Sequence, residues 1–234
     1  MIGLGIAHPQ GLRILCLGAH CDDIEIGCGG TLLNMLKNFG KIEVHWVVLS
    51  SDARREEEAR SSANLFLEHA GGKIVKIERF RNGYFPYVEG KIKDYFEKLK
   101  GIYSPDLVFT HYRDDLHQDH RTVSELTWNT FRNHLILEYE IPKYDGDFGS
   151  PNFFVPLEHA ICQRKINSIL ASYRTQGDKH WMTSDLLLSV LRIRGMECAS
   201  ATKFAEAFYC RKITYDPPAF RSKSRSTSER NGES

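Results

Sequence analysis

Residues 14–31 read ILCLGAHCDDIEIGCGGT. A short apolar run, Ile14 to Leu17, gives way at once to His20, Asp22 and Asp23, with Glu25 close behind and a glycine cluster from Gly27 to Gly30. An apolar run of four to eight residues bounded by glycine is the pattern of a buried strand. One imidazole and two carboxylates packed this tightly are costly to bury unless they share a cation or a proton. The stretch therefore reads as a core strand that ends in chemistry.

Outward from it, apolar runs alternate with helix-forming segments. TLLNMLKNFG (31–40) reads as a helix stopped by Gly40, and KIEVHWVVLS (41–50) as a strand rich in β-branched and aromatic residues. Ser51 or Asp52 caps ARREEEARSSANLFLEHAGG, a helical stretch with a Gly-Gly stop. KIVKIERF (73–80) is a third strand, followed by an Asn82-Gly83 turn, the helix VEGKIKDYFEKLKGIY and the strand DLVFTH (106–111). HRTVSELTWNTFRN is read as a helix, LILEYEIP as a strand and LEHAICQRKINSILASYRT as a helix, with glycine- and proline-punctuated loop at 145–154 and a similar loop at 176–183. DLLLSVLRIRGMECASATKFAEAFYCRKI supplies one or two more helices and a closing strand. Strands alternating with helices imply an α/β, Rossmann-like fold: a mostly parallel sheet with helices on both faces and a site at the carboxyl ends of the strands.

The chain has 234 residues, enough for one such core. The expected organisation is a loose lead-in at 1–12, a single domain at 13–216 and a disordered tail at 217–234, where the composition turns to Ser, Arg, Lys, Asn and Gly. A formal net charge of +1 produces no field that argues for nucleic acid or an anionic membrane, so the expected partner is a small molecule. No apolar run reaches the roughly 20 residues of a membrane span. The amino terminus lacks the three-part pattern of a signal peptide, which makes a cytoplasmic protein the expectation. A homo-oligomer is compatible with this sequence. The six cysteines form no CxxC pair and no framework spacing, so they are expected to be reduced thiols, with Cys21 a spacer between His20 and Asp22.

A second polar cluster, HYRDDLHQDHR (111–121), also follows directly on a strand. Ligands of open parallel sheets bind at the strands' carboxyl ends, so the fold brings the two loops to one edge. Together they offer His20, Asp23, His117, Asp119 and His120. Catalytic zinc takes three protein ligands of the His, His, carboxylate kind and keeps a position for water; His20, Asp23 and His120 meet that description. Asp22 then points away from the metal and acts as general base on a water whose pKa the ion lowers to about 7. His117 is a charged donor for a developing oxyanion, with Asp119 holding its ring. Glu25 and Asp114 read as supporting or surface residues, and Asp115 as either a contact to metal or substrate or a loop cap.

These motifs resemble those of a known family. AHCDDIEIGCGGTL resembles the AHPDD-x-E-x-x-x-GG signature of the PIG-L/LmbE-like N-deacetylases, and HQDHR resembles their HPDH signature. The likeness runs from about Ile14 to about Ile213 and takes in RREEEA, LEYEIP and the late RG…AEAF segment. It implies a Rossmann-like fold, a bound Zn2+ (with Fe2+ or another divalent transition metal as the alternative) and N-acetylated amino sugars as substrates, free or linked to a nucleotide or lipid. By motif position it assigns His20, Asp23 and His120 to the metal, Asp22 to the base, and His117 with Asp119 to the oxyanion. Three positions depart from the pattern: Cys21 and Gln118 replace prolines, and Asn82 stands where many relatives carry the Asp of a DG turn near the sugar. Arg55 is a candidate contact to sugar or phosphate, or else an exposed partner for Glu58 or Glu56. Arg192 and Arg194 are candidates for a phosphate on a linked sugar.

Two other functions fit parts of the sequence. A non-haem iron oxygenase also uses two histidines and a carboxylate, although such sites more often sit in β-barrels. A nucleotide-binding module would use the Gly27 to Gly30 cluster as an anion cradle, but GCGG lacks the G-x-G-x-x-G spacing and acids precede it.

Overall fold

The first strand begins where the apolar run begins. In a computed structural model that describes residues 11–38 and 41–214, β1 spans Leu12–Gly18. Its side chains alternate between two cores: Ile14 and Cys16 enter one cluster, Leu15 and Leu17 the other. A strand buried on both faces needs apolar residues at every position, which is why this stretch reads as continuous rather than alternating.

The remaining elements follow in order: α1 (Asp23–Asn38), β2 (Ile42–Val48), α2 (Ala53–Phe66), β3 (Gly72–Ile77), α3 (Glu89–Ile102), β4 (Leu107–His111), α4 (Gln118–Thr130), β5 (Leu135–Tyr139), β6 (Phe153–Leu157), α5 (His159–Ser172), α6 (Ser184–Glu197) and β7 (Phe204–Tyr209). The sheet has seven strands in the order β3-β2-β1-β4-β5-β7-β6. The first five are parallel, whereas β7 runs antiparallel to both β5 and β6. One core packs α1, α2, α5 and α6 against one face, and the other packs α3 and α4 against the opposite face. From β1 the chain winds outward through β2 and β3, then crosses back to place β4 on the other side of β1. This reversal opens a crevice at the carboxyl ends of β1 and β4, where open α/β sheets bind ligands.

The expected elements recur with two changes. The first helix starts at Asp23, eight residues before Thr31, so Gly27 to Gly30 lie inside it. Glycines weaken a helix in isolation, but these admit close neighbours: a Cβ on Gly27 would run into the Tyr139 ring, and one on Gly30 would sit 2.6 Å from Leu157. The loop expected to end at Phe154 instead turns into edge strand β6 at Phe153. The closing segment resolves into one helix, α6, and strand β7. Gly40, residues 1–10 of the expected lead-in and the whole expected tail lie outside the described residues.

The glycine cluster does receive an anion, though not a nucleotide. Glu206 on β7 accepts the Gly30 and Thr31 amides at 2.7 and 2.6 Å, and Lys165 on α5 pairs with Glu206 at 2.6 Å while also donating to the Ile26 carbonyl. All of this is buried. The anion cradle of the rival reading is thus filled by the protein's own carboxylate, which ties α1 to α5 and β7.

Candidate active site

The turn between β1 and α1 is short, and its polar groups bond one another. The His20 amide donates to Asp23 Oδ2 at 2.6 Å, which orients the carboxylate at the head of α1. Asp22 is paired with Arg55 of α2, Nη2 to Oδ1 at 3.1 Å. Arg55 is therefore not an exposed partner of Glu56 or Glu58: it lines the cavity and is bound to Asp22. Burial raises the Asp22 carboxyl above its ordinary pKa against the opposing pull of Arg55.

The second cluster arrives on β4 and α4. His20 Nδ1 lies 3.2 Å from His120 Nε2, and Asp23 reaches these atoms through different oxygens, 3.5 Å to His20 and 3.6 Å to His120. Donors about 2.0–2.1 Å from a tetrahedral zinc stand roughly 3.3 Å from one another, so this spacing fits such an ion. Two further sets of donor atoms converge within 4.8 Å: His20, His117 and His120, and Asp23, His111 and His120. Burial would lower the His20 pKa, but Asp23 and Asp119 outweigh it and lift it to about 10. Burial drives His120 down to about 3, reinforced by His111. Burial would raise Asp23, yet His120, His111 and His20 hold it well below the carboxylate range. Two facing imidazole nitrogens beside an ionised carboxylate need a cation or a proton between them, and the donor set is one that could hold a divalent metal ion.

Around this centre the second loop departs from its expected arrangement. Asp119 does not hold the His117 ring. Its carboxylate accepts the Gly83 and Phe85 amides at 2.6 and 3.1 Å and lies 3.3 Å from His20 Nε2, so it orients His20. His117 instead caps α4: its Nδ1 accepts the Asp119 amide at 3.2 Å, leaving Nε2 as the nitrogen that carries the proton in the neutral ring. Burial lowers its pKa, with His20 adding to the effect, which favours the neutral ring over the charged one that the sequence suggests. Asp115 holds His120 and the loop at once, taking His120 Nδ1 at 2.9 Å, the Lys143 ammonium at 3.0 Å and the His117 amide at 2.8 Å. A histidine ligand held through its other nitrogen by a carboxylate is the usual outer layer of a metal site.

Sequence reasoning leaves His111 without a task. It is fully buried at the end of β4, with Nε2 3.0 Å from the Ala19 amide and 3.1 Å from Asp23 Oδ2, and its ring stacks on His120 at 3.9 Å. Its Nδ1 has no partner among the described residues. The signal available in the sequence is its place at a strand's carboxyl end. Gln118, a spacer by motif, extends its amide to the Gly83 carbonyl. Gly83 itself has φ +75°, which suits glycine and explains the Asn82-Gly83 pair. Cys21 keeps its spacer reading: its thiol is buried against the Ser50 carbonyl, and burial pushes its pKa to about 12. Glu25 is not a surface residue. It is fully buried, accepts the Tyr173 hydroxyl at 2.5 Å, and burial lifts its pKa to about 8.

Histidines, Asp22 and Asp23 form the floor of a cavity of about 360 Å³, rimmed by Arg55, Asn82 and the segment from Ile141 to Asp145. Arg192 and Arg194 do not reach it. Arg192 is exposed and donates to the Lys203 carbonyl, while Arg194 is spent on Glu140 at 2.6 Å and Glu197 at 2.8 Å. The expected phosphate contacts are therefore structural.

Fold and site together define an α/β protein with a histidine-carboxylate cluster at the sheet's switch point. Residues 15–131 match the model of the PIG-L family, GlcNAc-PI de-N-acetylase, and the chain belongs to that family. Solved structures share its fold. The conserved protein TT1542 from Thermus thermophilus is 21% identical with a TM-score of 0.65, covering 88% of this chain and 98% of the other. N,N'-diacetylchitobiose deacetylase from Pyrococcus horikoshii is 20% identical with a TM-score of 0.61, covering 84% and 82%. GalB, the 4-carboxy-2-hydroxymuconate hydratase from Pseudomonas putida KT2440, is 16% identical with a TM-score of 0.63, covering 88% and 99%. Among the described residues no helix is long and apolar enough to cross a membrane.

Proposed function

We propose that this protein is a metal-dependent hydrolase that removes the acetyl group from an N-acetylated amino sugar or its conjugate, giving acetate and a free amine. The observation that carries the reading is the convergence of His20 Nδ1, His120 Nε2 and the Asp23 carboxylate at 3.2–3.6 Å, with a second carboxylate, Asp22, alongside. Membership of a de-N-acetylase family supports the amide as substrate. His20, Asp23 and His120 would hold the ion, with His111 and His117 completing a second layer or exchanging with them. Bound there, zinc would supply a Lewis acid and would bring the pKa of a bound water near 7.

The chain's own groups do the rest. Asp22, kept basic by burial and held in place by Arg55, takes the proton from the attacking water. His117, with Nδ1 occupied by the Asp119 amide, offers Nε2–H to the oxygen that becomes negative. Asp119 and Asp115 fix His20 and His120 from behind. Asn82 and the segment from Ile141 to Asp145 contact the sugar at the rim.

Since one structural relative is a hydratase, product chemistry decides the function. The test is acetate release over free, nucleotide-linked and lipid-linked N-acetyl sugars, before and after chelation and with metal analysis. Release abolished by chelation and restored by Zn2+ supports the reading. Stoichiometric metal with no acetate from any of these amides would contradict it, and oxygen uptake with bound iron would replace it with an oxygenase.

A further inference from the structure

Beside the polar cavity lies a second, of about 330 Å³, the size of a small-molecule site. Tyr144, Phe148, Trp181, Leu186, Val190 and Ile193 form its walls. Its origin is legible in α6. Leu187 and Leu191 turn inward and are buried, as one face of a helix on a sheet must be. Leu186, Val190 and Ile193, spaced i, i+4, i+7, add a second apolar stripe where a polar face is the rule. Tyr144 is 73% exposed, Phe148 45% and Ile193 48%. Large apolar groups gathered in the open around one concavity mark a binding surface.

Of the polar groups that line it, Asp147 and Ser189 are engaged elsewhere, and the exposed His180 ring stands edge to face with Tyr144 at 6.3 Å. Asp147 takes Lys143 at 2.5 Å and the Leu116 amide at 2.7 Å, and the Ser189 hydroxyl donates to the Asp185 carbonyl at 2.7 Å. The cavity is therefore suited to a group without charge. Pro142, Lys143, Tyr144 and Trp181 line both cavities, and the Tyr144 and Trp181 rings meet edge to face at 4.8 Å on the shared wall. None of the floor residues His20, Asp23 and His120 lines the apolar cavity. A molecule whose amide rests on the floor reaches the second cavity with its opposite end.

We propose that the second cavity binds an alkyl or aryl group carried by the substrate at the end remote from the scissile amide, so that N-acetylated amino sugars with a hydrophobic aglycone are the preferred substrates. The amide's part in this rests on the deacetylase reading; the cavity's part does not.

Trp181 provides a native reporter. Octyl β-glucopyranoside, below its micelle concentration and with no amide, changes the protein's fluorescence saturably, and the Trp181→Phe variant loses most of that signal, while glucose changes nothing. Ile193→Glu and, separately, Phe148→Ala weaken the probe about tenfold or more, with circular dichroism confirming the fold. In a second arm, kcat/KM for acetate release from octyl N-acetylglucosaminide exceeds that from N-acetylglucosamine by about tenfold or more, and the ratio falls to about 1 in Ile193→Glu. Three results overturn the proposal: no saturable probe binding, a wild-type ratio near 1, or a gain that appears for N-octanoylglucosamine instead of the octyl glycoside. A wild-type dimer that Ile193→Glu dissociates, with no probe binding, would assign the cavity to a second copy and also overturn it. Probe binding with no acetate from either sugar would leave the cavity in place and remove the deacetylase reading.

Discussion

The two loops that build the site differ in how they reach their geometry. After β1, His20, Asp22 and Asp23 fall within four residues, and the turn shapes itself: the His20 amide bonds the Asp23 carboxylate at 2.6 Å as α1 begins. After β4 the active groups spread from His111 to His120, and distant segments hold them. The Gly83 and Phe85 amides seize Asp119, and Lys143 seizes Asp115. A tight turn is governed by local stereochemistry, so residue type and spacing predict its form. A ten-residue span that runs from the end of β4 into α4 takes its form from what packs on it, and its residues change roles accordingly.

That contrast can be broken or sharpened by substitution. The largest effect is expected at His120, the donor common to both converging sets. His120→Ala should lose bound metal and acetate release by more than the about 10–100-fold that outer-layer changes produce; metal analysis and initial rates check it. Asp119→Asn and Asp115→Asn should each weaken metal affinity about 10–100-fold, measured by competition with a chelator. If Asp119 served His117 alone, its substitution would change the rate and leave metal affinity untouched. Lys143→Met removes a partner of Asp115 but leaves the His120 contact, so affinity should fall by less than about tenfold. Arg192→Ala, outside both cavities, should leave metal affinity and acetate release at the wild-type level.

The same contrast explains what can be read in advance. The parallel sheet is legible because β1, β2 and β4 are apolar on both faces, and the site's position follows from two polar loops at strand ends. The antiparallel edge is not. β6 includes Pro156 and is only partly buried, and its pairing with β7 lies about 50 residues away in sequence. The early start of α1 is hidden by glycines that disfavour a helix until Tyr139, Phe66 and Glu206 are packed against them. His20, Asp23 and His120 converge as motif and spacing suggest. His111 escapes notice because a histidine within a strand looks like core until its neighbours are known. Arg194 looks like a free charge because its carboxylate partners, Glu140 and Glu197, include one 54 residues distant.

The central claim is that this cluster holds a metal for amide hydrolysis with Asp22 as its base. Asp22→Asn keeps the three proposed ligands and nearly the same shape. Measuring bound zinc and acetate release on one preparation of this variant tests the claim most directly. The account predicts zinc at the wild-type level with acetate release reduced about 10²–10⁴-fold. Full zinc occupancy with undiminished acetate release would contradict it.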